Sequence, residues 1–317
     1  MSHVWLPFWP RNAAISASLI DTIDIAEFCL VILILCFVFG MMLVFCTMYR
    51  RGSGTPRHVP HVKTWRWEIG WTAATLVAFL VLFVFGAKAY LFLYKPPARY
   101  QTELYIVGKQ WMWKVQHPGG QREIDAMHVP INRVIKVILA SQDVIHSFYV
   151  PAFRLKHDAV PGQFETFWFK ADRTGSYPLE CSEFCGVEHA HMIGSVTVMG
   201  DADYAKWLAD QGVTESLAQQ GFALFRRDGC SGCHDPASTV HAPSLDGLFG
   251  SVVHLSDGRA RIADERYIRD CILIPATQRV AGYPPVMPSF QGQLSEEDLV
   301  RILAYIKSLS ASAGPSS

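Results

Sequence analysis

Two short cysteine pairs carry the chemistry of this sequence. One reads Cys230-Ser-Gly-Cys-His234. C-x-x-C followed by histidine is the pattern of covalent c-type haem attachment: Cys230 and Cys233 would add across two vinyl groups, with His234 beside them to ligate iron. A sixth ligand has to come from downstream, where Met287 in Pro284-Pro-Val-Met-Pro288 is the sole methionine and His241 and His254 are the rival donors. A histidine–methionine axial pair raises the potential of an electron-transfer haem. The other pair lies in Cys181-Ser-Glu-Phe-Cys-Gly-Val-Glu-His-Ala-His-Met192, with His146 upstream at the end of a β-like run. Two thiolates, imidazoles and a thioether form a soft ligand set that suits copper better than zinc. Cys181, Cys185, His146, His189 and Met192 suffice for two copper ions bridged by both sulfurs. Two disulfides would be the plain reading on the oxidising side of a membrane, but they leave His189, Met192 and His234 unexplained.

Elements must hold these groups in place, and the composition says where to look. Of 317 residues half are hydrophobic, 18% are charged, and 28 basic residues balance 28 acidic ones. That excludes a polyanion reader on bulk charge, so no nucleic acid partner is expected. The low charge points to membrane segments, and two stretches meet the ~18 apolar residues a span requires, at about 28–49 and 69–94. The connecting loop, 50–68, carries Arg50, Arg51, Arg57, Lys63 and Arg66, which places it in the cytoplasm and both chain ends outside. The start of the chain lacks the basic and short apolar regions of a cleavable signal peptide. Cys29, Cys36 and Cys46 fall inside the first span, and Cys271 reads as a core residue.

From residue 95 to about 210 the chain turns to short β-rich runs, Leu104–Val107, Val134–Leu139 and Phe164–Phe169, separated by Gly and Pro breaks. These predict a β-sandwich. Tyr204–Leu208 closes it helically, 211–217 is a polar linker, and 218–309 is helical. Its last helix is capped by Ser295 and carries Leu299, Ile302, Leu303, Ile306 and Leu309 on one face. A small polar tail, 310–317, is expected to be flexible, and 1–24 form an external N-terminal segment.

With its upstream histidine, the run C-x-E-x-C-x-x-x-H-x-x-M resembles the CuA site of cytochrome c oxidase subunit II, and the similarity extends from the membrane hairpin to about residue 210. Residues 218–309 resemble a class I cytochrome c: Gly221, Phe225 and Gly229 precede the attachment site, Ala242–Gly250 looks like that family's proline-leucine-glycine loop, and Leu303 and Tyr305 lie on the terminal helix. The expected architecture is therefore a two-helix hairpin, a cupredoxin-like sandwich and an all-α cytochrome domain, the arrangement of caa-type oxidases. The resemblance implies that His146, Cys181, Cys185, His189 and Met192 hold CuA, that the Glu183 carbonyl completes the set, and that the Glu183 side chain reaches a magnesium ion facing subunit I, with Asp158 nearby. It further implies electron entry at Trp111, although two tyrosines frequent around that position are here Met112 and Val115, and a proton-path entrance at Glu68. His191 has no counterpart and reads as a surface or supporting residue. The implied activity is electron transfer from an external donor, such as a cytochrome c or a quinol-oxidising complex, through haem c and CuA to subunit I. Oxygen reduction coupled to proton translocation follows there, with subunit III beside it in a bacterial inner membrane and both redox domains periplasmic. A CuA subunit of a nitric oxide reductase and a membrane-tethered copper or haem protein without a catalytic partner are the alternatives. A quinol oxidase subunit would lack the copper ligands, and a copper chaperone would lack C-x-x-C-H.

Overall fold

The computed structural model describes residues 10–57, 63–95, 97 and 99–312. The chain divides into two compact units, one Ser16–Pro96 and the other the remainder. The first holds two helices, α1 (Ile15–Met48) and α2 (Trp65–Tyr94), long and apolar enough to cross a bilayer. At ~1.5 Å per residue, α1 is about 51 Å long against a hydrocarbon core of ~30 Å. It starts ahead of the apolar run because Ala17, Leu19, Ala26 and Glu27 are good helix formers that carry it through this stretch, while the charges of Asp21, Asp24 and Glu27 end a hydropathy count.

The second unit opens with ten strands in two five-stranded sheets. Strands β1 (Thr102–Lys109), β2 (Met112–Gln116), β3 (Arg122–Ile124), β5 (Ile135–Ser141) and β8 (Glu165–Phe169) form one, in the order β3-β2-β1-β5-β8. Strands β4 (Ala126–Pro130), β6 (His146–Val150), β7 (Leu155–Ala159), β9 (Gly175–Cys181) and β10 (Ile193–Met199) form the other, in the order β4-β10-β9-β6-β7. Trp113, Phe148, Phe153, Phe169, Leu104, Ile106 and Leu139 fill the space between them. Helix α3 (Asp201–Asp210) follows β10.

The C-terminal part is built on α4 (Leu217–Arg227), the single turn α5 (Ser231–His234), α6 (Glu265–Leu273) and α7 (Glu296–Ser312). Helix α4 begins at a capping box in which Ser216 and Gln219 each accept the other's backbone N–H. Helices α4 and α7 cross so closely that a Cβ on Gly221 would lie 1.9 Å from the Arg301 carbonyl. This helical region also contains a hairpin, β11 (Val252–His254) and β12 (Ala260–Ile262), turned at Asp257-Gly258 where Gly258 has φ +84°. Its strands are three residues each, too short for an alternation signal in the sequence. Helix α7 runs two residues past the expected start of the tail, and the rest of that tail, like Met1–Trp5, lies outside the described residues.

Candidate metal centre and haem cavity

Four elements converge on the first cysteine pair. His146 opens β6, Cys181 ends β9, and the intervening loop carries Cys185, a 3-10 turn at His189–His191 and then Met192 at the foot of β10. Backbone bonds close the base: Cys181 N donates to Met192 O at 3.2 Å and Ser182 N to Ser147 O at 3.0 Å. Gly186 makes the sharp turn with φ +121°, and a Cβ there would press on Gln110 and Trp111 at 3.0–3.2 Å.

The two thiols are free and their sulfurs lie 3.7 Å apart, beyond any disulfide. Ligand atoms of His146, Cys181 and Cys185 all fall within 4.8 Å of one another. Cys185 Sγ is 3.4 Å from His189 Nδ1 and 3.9 Å from Met192 Sδ, and the Glu183 carbonyl is 3.3 Å from Cys181 Sγ. The structure thus brings together the five side chains that the chemistry and spacing singled out and the Glu183 carbonyl that the resemblance added. His146 is fully buried, and Asp143 accepts from its Nε2 at 2.7 Å while its Nδ1 has no hydrogen-bond partner. An imidazole oriented by a carboxylate on one nitrogen, with the other left open in a buried site, is the arrangement of a metal ligand. Burial pushes both thiols up. The adjoining His146 imidazole and hydrogen bonding to the backbone of Ser147 and Glu183 nonetheless bring Cys181 down to about 6, while Cys185, facing Cys181, is pushed up to about 12. Two thiolates at this separation need positive charge between them. The donor set fits a copper pair.

Sequence reasoning missed the supports of this site. Asp143 also accepts from Gln110 N at 2.7 Å, and Gln110 Nε2 and Trp111 Nε1 both donate to the Cys185 carbonyl, at 2.8 and 3.2 Å. The candidate entry residue Trp111 therefore touches the metal loop directly. Gly108 leaves room for the His146 ring, which an added Cβ would meet at 3.0 Å. The spacing D-x-x-H at Asp143 was the available signal. His191 is exposed and bonded to Glu188. Glu68 sits in the first turn of α2 and accepts from Thr64 Oγ1 at 2.6 Å.

The second pair borders a cavity of about 770 Å³ whose lining is largely apolar and includes Cys230, Cys233, His234, Leu245, Met287 and Ile302. Cys230 and Cys233 are free thiols on and before α5. His234 Nδ1 lies 2.9 Å from the Pro243 carbonyl, an acceptor only, so Nδ1 carries the proton and Nε2 keeps its lone pair. Met287 is tied to α6 on its C-terminal side by Phe290 N donating to Ile272 O at 3.2 Å. Of the rival donors, His241 lines the cavity but stacks on Tyr283, with ring centroids 4.6 Å apart, and His254 is absent from the lining. The cavity fits a haem.

A buried cluster of thiol, imidazole and thioether groups on a β-sandwich is thus joined in one chain to a helical domain with a C-x-x-C-H cavity and to two helices long and apolar enough to cross a bilayer. Residues 121–199 match the model of the cytochrome c oxidase subunit II periplasmic domain and residues 218–310 that of cytochrome c. A cytochrome c oxidase subunit 2 from Alkalihalophilus pseudofirmus is 28% identical over 291 residues, covering 86% of this chain and 82% of the relative. An alternative cytochrome c oxidase subunit 2 from Bradyrhizobium diazoefficiens is 29% identical over 246 residues, covering 66% and 86%. The crystal structure of the periplasmic domain of subunit II of cytochrome oxidase from Bradyrhizobium japonicum shares 35% identity and covers 36% of this chain and 94% of that one, with a TM-score of 0.35. The chain thus joins a cytochrome c oxidase subunit II periplasmic domain to a cytochrome c domain, and homologues named cytochrome c oxidase subunit 2 cover most of it, consistent with a fused subunit II of the caa type. The first domain implies CuA copper and the second haem.

Proposed function

We propose that this chain is the electron-relay subunit of a respiratory haem-copper oxidase, taking electrons from an external donor at its cytochrome c domain and delivering them through the copper centre to subunit I, where oxygen is reduced to water and protons are translocated. One observation supports this above all: His146, the two cysteines, His189 and Met192 converge in the same compact unit that contains the C-x-x-C-H cavity. When bound, the copper pair and the haem supply one-electron chemistry with little change of geometry. Cys181, Cys185, His146 through Nδ1, His189 through Nδ1, Met192 and the Glu183 carbonyl would together hold the copper pair. Asp143 holds the His146 ring, and the β6 and β9 backbone keeps the cage rigid. In the cavity, Cys230 and Cys233 would hold the haem covalently, with His234 and Met287 on the iron.

Trp111 would act as the electron entry, a reading supported by its indole N–H bond to the Cys185 carbonyl. Glu68 would serve a proton path at the cytoplasmic end of α2, with the basic 50–68 loop inside a bacterial inner membrane and both redox domains periplasmic. For magnesium, the chain offers the exposed Glu183 side chain and Asp158. Asp158 Oδ1 already accepts from Ser147 and Lys156. Two carboxylates fall short of the ~6 oxygens such an ion takes, so subunit I would have to supply the rest. Subunit III and an external donor, a cytochrome c or a quinol-oxidising complex, complete the proposed assembly.

The test is spectroscopic. The copper-loaded chain should give the EPR pattern of one electron shared by two coppers, Cys185→Ser should abolish it, and a pyridine haemochrome assay should find one covalent haem. A single-copper blue spectrum from the unmutated chain would overturn the assignment.

A further inference from the structure

The cytochrome domain lies against the outer face of the sheet that contains β1, β5 and β8. Tyr105, Val107, Ile138, Ala140 and Phe164 of the sandwich join Leu217, Ile268, Leu299 and Leu303 in one apolar cluster. Apolar contact is non-directional, so it would hold two such domains together in many registers. Four charged side chains break that degeneracy. Glu103 on β1 and Lys136 on β5 face Glu265 at the start of α6 and Lys307 on α7. Lys307 Nζ donates to Glu103 at 2.6 and 2.7 Å and to Glu265 at 2.9 Å, Lys136 pairs with Glu265, and Lys136 lies 3.5 Å from Glu103. All four side chains are 9–14% exposed. The Phe249 ring roofs both ammonium groups, with Lys307 Nζ 4.6 Å from its centroid. A second tie lies nearby, where the buried Arg269 of α6 donates to the Gly162 carbonyl and pairs with Glu296.

We propose that the Glu103–Lys136–Glu265–Lys307 cluster is a docking pin that holds the cytochrome domain in one register on the copper domain, so that the two redox sites keep a fixed separation instead of meeting by diffusion about the 211–217 linker. Two positive and two negative groups come half from each side, and sliding by one residue would bury charge without its partner. Uncompensated buried charge is severely penalised, whereas the correct register leaves every group paired. These are positioning residues: none lines the haem cavity or touches the copper loop. The consequence for electron flow rests on the proposed relay; the docking itself does not.

The experiment uses the full-length chain, purified with copper and haem, and two variants. Lys307→Met leaves two carboxylates against one lysine. The double variant Glu103→Gln/Lys307→Met is neutral and keeps the Lys136–Glu265 pair. Hydrogen exchange is read at the β1 and α7 amides, and the rate of haem-to-copper electron transfer after rapid reduction is read against solvent viscosity. In the unmutated chain the rate should be independent of viscosity. Lys307→Met should speed interface amide exchange by roughly tenfold or more and make the rate viscosity-dependent, with metal content and optical spectra unchanged. The neutral variant should recover the thermal midpoint but retain the viscosity dependence, because the single remaining Lys136–Glu265 pair restores adhesion without fixing the register. A viscosity-dependent rate in the unmutated chain, or variants that match it in both exchange and rate, would overturn the pin. Loss of transfer in every form, with interface protection still responding to Lys307→Met, would instead count against the relay and leave the pin standing.

Discussion

At the scale of single residues, the candidate copper-binding groups were legible because their chemistry is rare and their spacing tight. Cys181, Cys185, His189 and Met192 lie within one short loop, and the structure places the other three donor atoms 3.4 to 3.9 Å from Cys185 Sγ. The groups that orient them were not legible, because carboxylates and amides are common and only the fold shows which one faces a ligand. Asp143 is the clearest case. It accepts from His146 Nε2 at 2.7 Å and ties the same strand to Gln110. Asp143→Ala should free the ring and weaken copper retention by about 10–100-fold, measured by competition with a chelator of known affinity. Met287 supplies a second prediction. Thioether ligation favours ferrous iron, so Met287→His should keep the covalent haem, erase the weak sulfur-to-iron band in the red and lower the potential. An unchanged spectrum and potential would assign the sixth position to His241 or to water.

Among elements, the long strands and the last helix followed from β-branched runs and helical periodicity, and the structure adds why β1 reads as an unbroken apolar run. Glu103 to Gly108 are all buried, because one face packs in the sandwich and the other beneath the cytochrome domain. Strands of three residues, β3, β11 and β12, carry too few positions to show a period, so they were illegible. The crossing of α4 and α7 depends on Gly221. Gly221→Ala would put a methyl into the Arg301 backbone and should cost about 1–3 kcal/mol, lowering the melting midpoint of the haem domain by several degrees in a thermal scan. For the hairpin, α1 and α2 with their basic connection predict orientation: a reporter fused near Thr55 should be active only in the cytoplasm and one after Ala311 only outside. The reverse pattern would put the copper loop on the wrong side for a periplasmic donor.

On the scale of the whole molecule, the sequence offered two domains and a linker, with no sign of how they meet. Glu103 and Lys307 are 204 positions apart, and nothing in local pattern marks either as buried. Their meeting makes the assembly pH-dependent in a definite direction. Burial alone would raise the Glu265 carboxyl, but Lys307 and Lys136 overcome it and bring it from 4.5 down to about 2. At ~1.4 kcal/mol per pH unit, a carboxylate held that far below its unfolded value contributes about 3 kcal/mol at neutral pH. A depressed pKa means that this contribution is complete above pH 4.5 and fades as the pH falls through about 2. Lys136 acts in the opposite sense. Burial works against its charge, yet Glu265 and Glu103 raise it above 10.5, so its share is present below that value and is lost only as the solution becomes more alkaline still. The interface should therefore be tightest from about pH 5 to 10 and loosen on the acid side first. Amide exchange at β1 and α7 should accelerate between pH 4.5 and 2, after correction for the intrinsic rate, while Glu265→Gln should be weaker at pH 7 and nearly insensitive over the same acid range. If Glu265→Gln instead shows the same acid response as the unmutated chain, other carboxylates govern the loosening and Glu265 is not the group that sets it.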